Sequence, residues 1–217
     1  MLFYLNKFYS GKDFIIASLI YVVILIISFS LHEFAHALVA YKNGDPTPKM
    51  MGRVTLNPIA HIDPMGLICS VVLFFGWAKP VQINPLNFKN QKKGMVLVSI
   101  AGVIANLIIA FVSCGVAMVI ATYGNLANEI VFVLYLFFEL LFVFNVANAV
   151  FNFLPLYPLD GFQFAFALAP ADSKFISFML KYSFPIMLVI LIFANGFITG
   201  IIDAISAPMI LFWGLIF

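Results

Sequence analysis

His32, Glu33 and His36 carry the densest chemistry in this chain: two imidazoles four residues apart, with a carboxylate beside the first. On a helix, residues four apart share a face, so both rings can reach one cation while Glu33 stays outside the inner shell. A tetrahedral zinc ion held by His32 and His36 needs a third protein ligand and leaves one position for water. Bound zinc lowers the pKa of that water, and Glu33 can take its proton as the water attacks a peptide carbonyl. The protonated Glu33 can then hand the proton to the departing amine. HExxH also arises by chance on exposed helices of soluble proteins. Here the three ionisable groups sit in an apolar run, where each is costly unless paired, metal-bound or in a wet cavity.

The third ligand must come from elsewhere, and the candidates are Asp160, Asp63, His61, Glu139 and Asp203. Asp160 follows Leu154-Pro155-Leu156-Tyr157-Pro158-Leu159 and precedes Gly161. The two prolines break the helix, and Gly161 permits a close backbone approach that could aim the carboxylate back into a bundle. As a plain alternative, Asp160 caps a helix. Asn145, Asn148 and Asn152 recur at helical spacing, and such amides either join helices or face a polar cavity. Asn152, nearest the proline-rich turn, could steady an oxyanion or hold an extended substrate. Asn106, with Gly102 and Ala105 nearby, reads as a close helix-packing site.

These residues need membrane helices to position them. Spans are expected at Phe14 to Ala40, Met95 to Ala121 and Glu129 to Phe151, each long enough for the roughly 20 residues a crossing needs. Two closing helices are expected at Phe175 to Ala194 and Gly200 to Phe217. The segment between, Asn152 to Lys174, reads as irregular, and Arg53 to Leu56 as a short strand or extended edge. Ile62 to Trp77 is apolar but short, which fits a re-entrant hairpin shielded by protein or a water-filled cavity. Four lysines fall in Lys79 to Lys93 and three basic residues in Lys42 to Arg53, whereas Thr122 to Asn128 and Asn195 to Thr199 have none. The positive-inside rule places the basic segments in the cytoplasm, the other two outside, and the N-terminus outside.

Composition agrees with that setting. Of 217 residues, 64% are hydrophobic and only 9% charged, with 26 Phe. Ordinary globular domains carry about 25% charged residues, so this chain has too few to cover a water-facing surface. A formal charge of +2 without a basic arm argues against nucleic-acid binding. Cys69 and Cys114 read as buried small hydrophobes rather than a disulfide framework. No cleaved signal peptide is expected, because the first apolar run leads directly into the His-Glu-His cluster.

The chain resembles the site-2 protease family of intramembrane zinc metallopeptidases, in a compact bacterial form without PDZ or CBS domains. The resemblance rests on His32 to His36 in a membrane helix, and on Asn152-Phe153-Leu154-Pro155 continuing to Pro158-Leu159-Asp160-Gly161. It rests also on Gly52-Arg53-Val54-Thr55-Leu56-Asn57-Pro58, His61-Ile62-Asp63-Pro64, Gly76-Trp77-Ala78-Lys79-Pro80-Val81, Asn84-Pro85, and Ala101-Gly102 through Asn106. Together the motifs span roughly residues 20 to 165. The resemblance implies that His32, His36 and Asp160 hold one zinc ion, that Glu33 is the base, and that Asn152 contacts substrate or transition state. It implies an all-α polytopic fold: a single membrane-embedded domain over 1–217, with a three-helix catalytic core at about 14–165 and accessory helices at about 175–217. It implies cleavage of transmembrane protein substrates in the bacterial cytoplasmic membrane, with the site toward the cytoplasm. No catalytic role is expected for the accessory helices. The rival readings are a small membrane metal-ion transporter or carrier, and an inert scaffold presenting a helix-binding groove.

Overall fold

The computed structural model describes residues 11–217 apart from 73–75, 171 and 194. Among the described residues the chain is all-α: α1 (Lys12–Lys42), α2 (Thr47–Met50), α3 (Pro64–Val72), α4 (Gln91–Tyr123), α5 (Glu129–Asn152), α6 (Asp160–Leu168), α7 (Lys174–Phe193) and α8 (Asn195–Gly214). Short 3-10 turns lie at Pro58–Ala60 and Pro85–Asn87. The stretches Ile15–Lys42, Gln91–Tyr123, Glu129–Asn152 and Gly196–Gly214 are long and apolar enough to cross a membrane. The chain is a polytopic membrane protein of the expected class.

Local chemistry sets where the helices begin. The Asn90 side chain accepts from the Lys93 N–H at 2.9 Å, and that of Asn128 from the Ile130 N–H at 3.0 Å, satisfying donors that a helix start leaves without partners. Helix α4 occupies the centre and packs against α1, α5, α6 and α8. Its buried face is built from small residues, among them Ala101, Gly102, Ala110, Ser113, Gly115 and Ala117. Small side chains let helix backbones approach closely where lipid offers no hydrophobic drive for association. Ala17, Tyr21, Ile24 and Leu25 of α1 pack with Leu136, Leu140 and Leu141 of α5. Ile104, Ile108 and Val112 of α4 point outward, as a lipid-facing surface requires.

Several elements differ from the sequence expectation. Residues 53–56 form no strand. A turn at Gly52 (φ 68°) precedes them, the Arg53 N–H donates to Pro48 O at 2.8 Å, and a His61 ring nitrogen lies 2.8 Å from Thr55 O. Local partners thus occupy the Arg53 N–H and the Thr55 carbonyl. The segment after Asn152 is not wholly irregular, since it holds α6, which begins at Asp160. Trp213 of α8 packs on Gly115, where an added Cβ would come within 2.5 Å of the indole, and its N–H reaches Phe111 O at 2.9 Å.

His61 and Lys79, at the two flanks of the short apolar stretch, come together. Helix α3 has nine residues, about 14 Å of rise against a hydrocarbon core about 30 Å thick. The Lys79 N–H donates to His61 O at 2.8 Å, and a Cβ on Gly66 would lie 1.9 Å from Trp77 O, so the two flanks touch. Leu67 and Val71 pack against the α1–α5 core, which covers one face of the hairpin.

Candidate metal centre

Helix α1 delivers His32 and His36 to one face, where their Nε2 atoms lie 3.1 Å apart. Asp160 Oδ2 stands 3.2 Å from each of them. Its position follows from the turn before it. A Cβ on Gly161 would fall 2.2 Å from Phe153 O, so only glycine lets the first turn of α6 press against the end of α5. The Tyr157 N–H donates to Ser183 Oγ of α7 at 2.8 Å, bracing the same turn from outside. Met187 of α7 lines the cavity over the site. Helix α7 therefore contributes to the site's surroundings, which sequence reasoning did not anticipate.

The three donor atoms form a near-equilateral triangle. Zinc ligands at about 2.0–2.2 Å in tetrahedral array lie about 3.3–3.6 Å from one another, so the triangle fits one such ion with a small outward adjustment. Without a cation or a proton, two imidazole lone pairs and a carboxylate would repel at this range. Among the described residues His32, His36 and Asp160 are the group whose ligand atoms converge.

The outer nitrogens of both rings are also held. His36 Nδ1 lies 2.7 Å from Val98 O, so it carries the proton and leaves Nε2 free as an electron-pair donor. Asn106 Nδ2 lies 3.2 Å from His32 Nδ1, and its Oδ1, also buried, has no partner. Turning the amide so that Oδ1 accepts from Nδ1–H satisfies that buried oxygen and frees His32 Nε2 in the same way. Gly102 sits directly against both rings, where a Cβ would lie 2.4 Å from His32 Cε1 and His36 Nε2. Gly102 and Asn106 thus face the histidines, whereas their spacing had suggested only helix packing. The single clue in the sequence was an amide in an apolar helix.

The other ligand candidates are engaged elsewhere. Asp63 Oδ1 accepts from the N–H groups of Met65 and Gly66 at 2.8 and 3.0 Å, capping α3. The Gly66 hydrogen bond leads in holding that carboxyl below its ordinary range, with Met65, the Trp77 side chain and Lys79 adding to it. His61 is buried against Thr55 O, and Asp203 is exposed on α8. Glu139 lies on α5, outside the converging group. The asparagines divide. Asn145 donates to Ser28 Oγ at 2.9 Å and to Leu141 O at 2.8 Å, joining α5 to α1. Asn148 and Asn152 line the cavity, and Asn152 Nδ2 donates to Asn148 O and Oδ1, each at 3.0 Å.

The cavity has a volume of about 630 Å³ and brings His32, Glu33, His36, Asn148, Asn152, Asp160 and Gln163 to one space. Residues 76–84 run along it without helix or strand, and the Val81 N–H donates to Glu33 Oε2 at 3.1 Å. The segment is moored at its far end by Asp45, a buried residue that accepts from Thr47 N and Oγ1, Asn84 N and Asn87 Nδ2 at 2.6–3.1 Å. Burial alone would raise the Asp45 pKa. The bonds from Asn87, Thr47 and Asn84 outweigh it and hold the carboxyl below its ordinary value.

Fold and site together define a polytopic helical membrane protein with a two-histidine, one-carboxylate constellation and a second carboxylate beside it. The chain is 44% identical over 154 residues to the candidate zinc metalloprotease YwhC of Bacillus subtilis (strain 168), covering 70% of each protein. It is 29% identical over 176 residues to the candidate zinc metalloprotease Rip2 of Mycolicibacterium smegmatis, covering 77% of this chain and 64% of that protein. Rip2 of Mycobacterium tuberculosis (strain H37Rv) is 29% identical over 170 residues, covering 71% of this chain and 62% of that protein. The chain belongs to the site-2 protease family of zinc metalloproteases. No protein-family model matches it, and no solved structure does so significantly.

Proposed function

We propose that this chain is a zinc-dependent endopeptidase that cuts transmembrane protein substrates within the bilayer, with Glu33 as general base. The observation that carries the reading is the convergence of His32, His36 and Asp160 on one cavity that also holds Glu33. Bound zinc would lower the pKa of a water molecule and polarise the scissile carbonyl. Glu33 takes a proton from that water and returns it to the amine nitrogen as the C–N bond breaks. Asn152 steadies the oxyanion or the substrate backbone. Asn148 supports this role, because its side chain accepts from Asn152 and leaves the Asn152 carbonyl oxygen for a peptide N–H.

A transmembrane helix hides its carbonyls in internal hydrogen bonds, so the substrate must unwind to reach Glu33. A cavity of this volume accommodates an extended peptide, well beyond the need of a bare ion, and this favours hydrolysis over metal transport. His32 lies ten residues from the end of α1 at Lys42, about 15 Å along the helix, which supports a reaction inside the hydrocarbon layer. The basic segments on either side of the hairpin favour a cytoplasmic-side site in a bacterial cytoplasmic membrane. Cleavage of a reporter transmembrane substrate tests the chemistry. The Glu33→Gln protein should lose about 10²–10⁴-fold in turnover while still binding zinc. Undiminished turnover would remove Glu33 as the base.

A further inference from the structure

Arg53 is an unusual side chain for a membrane protein's interior. It is 4% exposed, and its partners among the described residues are backbone carbonyls instead of a carboxylate. Nη1 donates to Ala60 O and, at 3.0 Å, to Lys79 O, while Nη2 reaches Pro80 O at 3.4 Å. A buried guanidinium is expensive unless its donors are used, so a sequence that keeps one there holds those carbonyls firmly.

The Pro80 carbonyl and the Val81 N–H belong to the same peptide unit. That unit is planar, so fixing its oxygen also fixes the direction of its N–H. The oxygen faces Arg53 Nη2, and the N–H donates to Glu33 Oε2 at 3.1 Å. A donor on the carbonyl also polarises the amide and strengthens its N–H as a donor. One peptide plane therefore links Arg53 to the carboxylate beside the metal ligands. The Ala60 and Lys79 carbonyls, with the Lys79 N–H bond to His61 O at 2.8 Å, keep that plane from sliding.

We propose that Arg53 is a positioning residue for Glu33, acting through the Pro80–Val81 peptide; this rests on the reading of Glu33 as base. Arg53 touches neither substrate nor metal. It holds the carboxylate at one orientation beside the site. Without it the 79–81 segment loosens and Glu33 samples orientations that do not face the attacking water. The loss then falls on turnover more than on substrate binding.

The test uses the full chain in nanodiscs with a reporter transmembrane substrate, comparing wild type, Arg53→Met and Arg53→Lys. Arg53→Met should lower kcat about tenfold to a hundredfold, part of the effect of a general base, with KM changed less than about twofold and zinc content unaltered. Arg53→Lys, which keeps a cationic donor, should recover part of kcat. In protein labelled with ¹⁵N-valine, the Val81 amide proton should move upfield in Arg53→Met, because its bond to a carboxylate weakens. Unchanged kcat, or a loss matched by lost zinc without rescue by lysine, would overturn the proposal. If Arg53→Met does not fold, Arg53→Lys decides: a severalfold lower kcat at normal KM supports it, and wild-type kcat overturns it. Glu33→Gln separates the claims. Full activity there removes the base and this inference with it, whereas abolished activity there with normal kcat in Arg53→Met overturns this inference alone.

Discussion

In the proposed zinc site each histidine has two tasks, to present Nε2 and to keep its proton on Nδ1. Val98 O settles the second for His36, and the Asn106 amide, once turned so that Oδ1 faces Nδ1, would do so for His32. The Asn106→Ala protein should therefore bind zinc about 10–100-fold more weakly, as loss of such an orienting partner generally costs, and Asn106→Asp should recover most of the affinity. Chelator competition measures this without substrate, and equal affinities in wild type and Asn106→Ala would contradict it. At this scale the sequence was only half legible. His32, Glu33 and His36 announce themselves because one helix turn brings them together. Asp160 stood among five candidates, since the turn that carries it is braced by a distant contact, the Tyr157 N–H to Ser183 Oγ. Gly102 and Asn106 show a helix face but not which neighbour it meets.

The elements that position the site are short and irregular, and the long helices serve as their frame. The 76–84 segment is held by Arg53 and Asp45, neither of which its sequence position marks as buried. Arg53 read as part of a short strand or extended edge and Asp45 was not singled out, because their partners near this segment lie 26 to 42 residues away. Asp45 gives this mooring a pH signature. Its folded pKa is depressed, so its stabilisation is complete well above the unfolded value of about 3.9 and fades as pH falls through the folded value. Asp45→Asn should therefore cost about 1.5–3 kcal/mol near pH 7, the worth of a hydrogen bond to a charged group, and the gap from wild type should close below about pH 4. Thermal unfolding of both proteins across that range checks it; a gap independent of pH would count against a charged mooring. The asparagine stripe shows the same limit of sequence reading. Three residues fanned over about 60° of one helix share a face, yet Asn145 meets Ser28 while Asn148 and Asn152 meet the cavity.

For the whole molecule, the three core spans and their order were legible because about 20 apolar residues in a row admit few other structures. Of the two closing helices, only α8 is among the described stretches long and apolar enough to cross a membrane. The short helix α3, with His61 and Lys79 in contact at its flanks, agrees with the expectation that this apolar stretch is too short for a full crossing. The docking of the last two helices was not legible, since apolar faces in lipid carry no pattern that names their partner. Even so, Trp213 on Gly115 fastens α8 to the core, and Ser183 of α7 braces the turn that carries Asp160. The molecule thus gathers His32, Glu33, His36 and Asp160 into a cavity otherwise lined mostly by apolar residues, and the account depends on a cation being held there. Crystals of the zinc-loaded chain, measured above and below the zinc absorption edge, test this most directly. The account predicts one anomalous peak per chain, about 2.0–2.2 Å from His32 Nε2, His36 Nε2 and an Asp160 oxygen. No peak there, or a peak on other ligands, would contradict it.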